Sequence, residues 1–119
     1  MVALQRIAPE LPAANLQSAV TYYEQKLGFR VATMMADGEY AIVERDDVAI
    51  HLFKDGSGKL SPVGVHIFTA SLEALHAEFQ RSGALLSQGI ARKPWGNRDF
   101  RLHDEFGNEL KFTEPLDLE

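Results

Sequence analysis

The chain has 119 residues, 45% of them hydrophobic, enough for one compact domain and too few for two ordinary ones. Twelve Lys and Arg against 17 Asp and Glu give a formal charge of -5, so there is no basic surface for phosphates and neither nucleic acid nor an anionic membrane is an expected partner. The absence of cysteine excludes disulfides, zinc–thiolate sites and thiol nucleophiles. No apolar run approaches the roughly 20 residues that span a bilayer and no basic-then-apolar leader opens the sequence, so a cytoplasmic protein is the expectation.

In chain order, RIAPELPA reads as a strand that Pro9 and Pro12 confine to an edge. LQSAVTYYEQKLG follows, with Leu16, Ala19, Val20, Tyr23 and Leu27 at the three-four spacing of a helix face, Asn15 as N-cap and Gly28 as stop. FRVATMMA, EYAIVER and VAIHLF are extended runs separated by the turn signals Asp37-Gly38 and Asp46-Asp47. DGSGKLSP, residues 55–62, is the one stretch rich in Gly, Ser and Pro and reads as a linker.

Beyond the linker the order restarts. GVHIFTA is extended, and SLEALHAEFQRSG predicts a helix capped by Ser71, with Leu72, Leu75 and Phe79 on one face and Gly83 as stop. His76 lies beside that apolar stripe and reads as structural or solvent-facing. LLSQGIA is a less regular run, and RDFRLHD and NELKF flank the turn Glu105-Phe106-Gly107-Asn108. The result is a single domain over 1–119 built as an internal repeat, with module one at about 1–56 and module two at about 63–119.

Each half has one amphipathic helix to cover one face of its strands, which leaves the opposite face to another partner or to water. Two such halves side by side would curve into a cleft. Strand alternation puts Val48, Ile50 and Leu52 under the helix and turns Ala49, His51 and Phe53 toward the cleft. The same rule turns Gly64, His66 and Phe68 to the cleft while Val65 and Ile67 pack inward. It leaves Glu109 and Lys111 opposite Leu110 and Phe112, and Asp99, Arg101 and His103 opposite Phe100 and Leu102.

NLQSAVTYYEQKLGF in the first half and PWGNRDFRLHDEFGNELKF at the end resemble the vicinal oxygen chelate superfamily, which contains glyoxalase I, extradiol dioxygenases and bleomycin resistance proteins. The likeness covers nearly the whole chain. It implies an α+β fold of two tandem βαβββ modules forming a curved mixed sheet around a cleft. The metal-using members take ligands from a first-strand and a fourth-strand position of each module. Carried over, those places fall on Ala8 and His51, and on Gly64 and Lys111. A methyl group, a bare glycine and an ammonium cannot ligate a metal, so the expectation is a protein with no metal and no cofactor.

EYAIVERDDVAIHLF and KPWGNRDF resemble the strand pair and the tryptophan segment of bleomycin resistance proteins, homodimers that sequester a large cationic drug between aromatic and acidic groups. The resemblance therefore implies a homodimer binding a small cationic or aromatic antibiotic or metabolite. The candidate ligand-binding residues are Trp95, His51, Phe53, His66, Phe68, Arg101, Glu109 and Lys111. The indole of Trp95 suits stacking on a flat or cationic ligand, although a lone loop aromatic also serves to cap a core. Arg101, Asp99, Glu109 and Lys111 could form a charged cleft floor or instead be solvated or paired with one another, as alternating charges on a strand face commonly are. No catalytic residue is assigned. Two alternatives stay open: a metal-dependent glyoxalase-like lyase, isomerase or dioxygenase, and a metal-free enzyme using His51 or Glu109 as base.

Overall fold

The computed structural model describes residues 2–115; Met1 and residues 116–119, the end of module two, lie outside them. The first module runs β1 (Glu10–Ala13), α1 (Leu16–Gln25), β2 (Arg30–Met34), β3 (Tyr40–Arg45) and β4 (Val48–Lys54). The second repeats the order with β5 (Gly64–Phe68), α2 (Leu72–Ser82), β6 (Leu85–Arg92), β7 (Arg98–His103) and β8 (Glu109–Thr113). This is the expected α+β chain of two tandem βαβββ modules. Each module makes its own four-stranded sheet, ordered β1-β4-β3-β2 and β5-β8-β7-β6.

The first strand of each module pairs in parallel with the fourth, and the remaining pairings are antiparallel. β1 is therefore an edge strand, where the missing N–H of Pro12 interrupts no ladder. Helix α1 starts at Asn15, whose Oδ1 accepts from the Ser18 N–H at 3.0 Å. It ends one turn before Gly28, which adopts a left-handed φ of 72° and returns the chain toward β2. A Cβ at Gly28 would lie 2.9 Å from Arg45 Nη1, so this position needs glycine both for its conformation and for the space Arg45 fills. Ser71 precedes α2 as expected but makes no side-chain capping bond; Gly83 ends that helix in the left-handed conformation.

Each helix packs on the inner face of its own module's sheet, and the two layers share one continuous core. Leu11, Tyr23, Val43, Ile50 and Leu52 from module one join Leu72, Phe79, Phe100, Leu102 and Leu110 from module two, all fully buried. Within it Phe100 stacks on Phe112 and Phe79 meets both edge to face, with centroids 5.1–6.0 Å apart.

Polar groups lock the modules together. Asp104, in the turn between β7 and β8, accepts from the Tyr23 hydroxyl at 2.9 Å and from Asn108 Nδ2 at 2.8 Å. The same Asn108 amide donates to the Pro12 carbonyl of β1 at 2.9 Å. Tyr22 bridges the modules as well, donating to the His103 carbonyl and accepting from the Leu85 N–H. Arg45 closes the other end through Glu78 at 2.6 Å. The radius of gyration, 15.0 Å, exceeds the roughly 13.5 Å expected of a compact chain this long. An exposed leading segment contributes to that excess: Val2, Leu4 and Ile7 are each over 90% exposed.

Candidate functional site

With the inner faces committed to the shared core, each sheet is left with one outward face, and the residues singled out from strand alternation lie there. On the module-one face His51 and Phe53 are half-buried beside Ile42 and Tyr40 of β3. The Tyr40 hydroxyl donates to Glu10 Oε2 at 2.7 Å and lies 2.6 Å from His51 Nδ1, with the two rings edge to face at 5.5 Å. Desolvation, reinforced by its bond to the Glu10 carboxylate, raises the Tyr40 pKa, so the phenol keeps its proton. Further along this face Glu44 pairs with Arg30 and Arg6.

The module-two face is charged. Asp99 is buried and receives Gln88 Nε2 at 2.8 Å, Arg101 Nη2 at 3.2 Å and Lys93 Nζ at 3.7 Å. Glu109 sits among Lys111 Nζ at 3.5 Å, His103 Nε2 at 3.8 Å and Arg101 Nη1 at 4.0 Å. Arg101 thus pairs with Asp99 and Glu109, and Lys111 with Glu109, as charges alternating on a strand face commonly do. His66 lies 3.0 Å through Nδ1 from the Thr113 hydroxyl and stacks on Phe68, whose ring is 62% exposed.

Trp95 occupies the tight turn between β6 and β7, closed by bonds between Lys93 and Gly96 and between Lys93 and Asn97. It is 61% exposed, so it caps no core. His76 packs edge to face on Phe100 at 5.1 Å, in the structural role its place beside the apolar stripe suggests. Among the described residues no side chain of one outward face bonds to a side chain of the other, so a single chain groups His51 with Phe53 and Arg101 with Glu109 and Lys111 but does not bring the two sets together.

The strand register shows what stands beside the inferred metal-ligand places. Ala8 precedes β1, and the residue beside His51 is Glu10; in module two Lys111 pairs with His66, whereas Gly64 pairs with Glu109. Glu10, His51 and His66 have ligand chemistry, but the Tyr40 hydroxyl bonds both Glu10 and His51, and the fourth place is an ammonium. Among the described residues no three His, Cys, Asp or Glu side chains converge as a metal site. Within one chain the donor set does not fit a metal.

Sequence reasoning missed Glu10, Tyr40, Gln88 and Lys93. Glu10 and Tyr40 are placed by register alone, while Gln88 belongs to a bulged strand whose alternation breaks between Leu86 and Ala91, and Lys93 lies in the turn just after it. A cleft of about 380 Å³ also opens where the modules meet, lined by Phe29, Val48, Leu75 and Phe79 with Arg45 and Glu78 at its rim; of the candidate ligand-binding residues Phe68 alone lines it.

Residues 3–112 match the Glyoxalase/Bleomycin resistance protein/Dioxygenase superfamily, and the chain belongs to that family. Several solved structures share its fold. A bleomycin-binding protein from bleomycin-producing Streptomyces verticillus, complexed with copper(II)-bleomycin, superposes with a TM-score of 0.80 at 23% identity over 98% of this chain and 100% of that one. TioX from Micromonospora sp. ML1 gives 0.81 at 21% identity over 94% and 99%. Lactoylglutathione lyase from Agrobacterium tumefaciens gives 0.75 at 15% identity over 92% of each chain. Among curated protein sequences none matches the chain. At these identities the likeness establishes the fold, which in this family carries both binders and enzymes.

Proposed function

We propose that the protein binds a small cationic or aromatic molecule without a metal, as a homodimer of the bleomycin-resistance-like kind, and acts by sequestering it. One observation carries this reading: each sheet leaves an outward face bearing aromatic and hydrogen-bonding side chains that no other element among the described residues covers. A second copy apposed by a two-fold axis could set the module-one face of one protomer, with His51 and Phe53, against the module-two face of the other, with His66, Arg101, Glu109 and Lys111. The likeness to bleomycin-binding folds supports the choice of ligand class. The exposed Val2, Leu4 and Ile7 support a partner copy, because apolar side chains at over 90% exposure gain by burial.

The alternative, a metal-dependent lyase, isomerase or dioxygenase, draws support from Glu10, His51 and His66, three side chains of ligand chemistry on the first and fourth strands of the modules. It needs a second copy to bring those donors together, and Lys111 at the fourth place opposes it. The test is a thermal-shift screen of cationic aromatics, metal-free bleomycin included, followed by calorimetry. A ligand at a hundred times its Kd stabilises the folded state by about 2.7 kcal/mol. Saturable binding by protein treated with chelator supports the proposal; no binder in the screen, or binding that appears only on adding a divalent metal, overturns it.

A further inference from the structure

The hydrogen-bonded chain Glu10–Tyr40–His51 fixes more than a side-chain position. A phenol has one proton, and Tyr40 has two close neighbours, Glu10 Oε2 at 2.7 Å and His51 Nδ1 at 2.6 Å. An ionised carboxylate is an acceptor only, so the Tyr40 proton goes to Glu10. The contact with His51 is then satisfied only if Nδ1 carries a hydrogen and donates it to the phenol oxygen. In a neutral imidazole this leaves Nε2 as a bare lone pair. Nε2 has no hydrogen-bond partner among the described residues, and the ring stands on the outward face beside Phe53 and Ile42. Glu10 enters no ion pair among the described residues, so its charge adds to the negative potential there.

We infer that Glu10, Tyr40 and His51 form a recognition subsite for a protonated nitrogen: Glu10, acting through Tyr40, holds His51 as the Nδ1–H tautomer, and the Nε2 lone pair accepts from an ammonium carried next to an aromatic or apolar group. Glu10 and Tyr40 are positioning residues and His51 touches the ligand. The inference rests on the reading of this face as ligand-binding, and it narrows the ligand class from flat or cationic to an ammonium donor with an adjoining apolar body. A carboxylate at the same point would meet a lone pair and a second carboxylate, both repulsive.

The tautomer is read without any ligand, by long-range proton–nitrogen NMR on nitrogen-labelled full-length protein at a pH where His51 is neutral. The expected spectrum has His51 Nδ1 protonated and Nε2 unprotonated, and Tyr40→Phe, which removes both bonds from a side chain outside the core, abolishes that preference. Benzylammonium titrated into the wild type should shift the Nε2 resonance, while benzyl alcohol should do so more weakly and benzoate not at all. Tyr40→Phe should weaken the benzylammonium response about tenfold, the loss expected for a charge-assisted hydrogen bond. An Nε2–H tautomer in the wild type overturns the inference whatever ligand the protein binds. So does a benzylammonium response that Tyr40→Phe leaves unchanged, or an unmoved Nε2 while a calorimetrically established ligand binds at another place. If the tautomer is as expected and Nε2 responds to benzylammonium while the antibiotic screen finds no tight binder, the subsite stands and the sequestration reading falls.

Discussion

Removing one oxygen atom from the junction between the modules should destabilise the fold measurably and change how it responds to alkali. Tyr23 is fully buried, and its hydroxyl donates to Asp104 Oδ2 at 2.9 Å. Asp104 also accepts from the N–H groups of Phe106 and Asn108 at 2.8 and 3.0 Å and from the Asn108 amide at 2.8 Å. In Tyr23→Phe the carboxylate therefore keeps three donors, and the loss reduces to one hydrogen bond to a charged group, about 1.5–3 kcal/mol. At roughly 4 °C per kcal/mol for a chain of this size, Tm should fall by about 6–12 °C. Burial first, and the neighbouring Asp104 next, raise the Tyr23 pKa well above the usual tyrosine value. Its stabilising contribution is thus complete below the unfolded pKa of about 10 and is lost as pH rises from there toward the folded value, because the unfolded chain releases a proton that the native state retains. Tyr22 and Tyr40 are shifted in the same direction and steepen the same limb. Urea denaturation followed by circular dichroism, at one protein concentration and at pH 7 and between pH 10 and 11, should show wild-type stability falling with pH and the variant falling less steeply. A variant within about 0.5 kcal/mol of wild type at pH 7 would refute the role assigned to this lock.

Three further outcomes are expected. Trp95→Ala should weaken ligand binding several-fold through lost stacking while costing the fold at most about 2 kcal/mol, since the indole is largely exposed; an unfolded variant, or fluorescence unresponsive to an established ligand, would place the cleft elsewhere. Sedimentation at micromolar concentration should give twice the 13.2 kDa of one chain, and a monomer with ligand binding intact would contradict the completed-cleft reading. Nickel, zinc, manganese or iron should leave Tm unchanged; a rise that His51→Ala removes would move the protein to the metal-dependent branch of its family.

What could be read before folding, and what could not, follows from how strands carry information. Side chains alternate with a period of two, so a strand assigned from its apolar residues shows which face each residue takes. That sufficed to turn His51, Phe53, Arg101, Glu109 and Lys111 outward, and Asn15 and Gly83 likewise marked helix ends through local chemistry alone. Alternation is blind to a slip of two, however, because such a slip preserves the face while exchanging the neighbour. Ala8 and Glu10 are alternates of this kind, as are Gly64 and His66, and only the parallel register of β1 with β4 and of β5 with β8 decides between them. The contacts that join distant segments were hidden for a different reason. Tyr23 meets Asp104 across 81 positions, and nothing in either local sequence points to the other. Tyr40 lies between these cases: its strand is evident, yet its importance comes from standing diagonally across from His51 and within reach of Glu10, a relation among three strands. Binding chemistry on a sheet face depends on such relations, because a recognition site is set by which side chains are neighbours. In this chain the same register that removed a methyl group from beside His51 put a carboxylate there, and with it the acceptor character proposed for the module-one face.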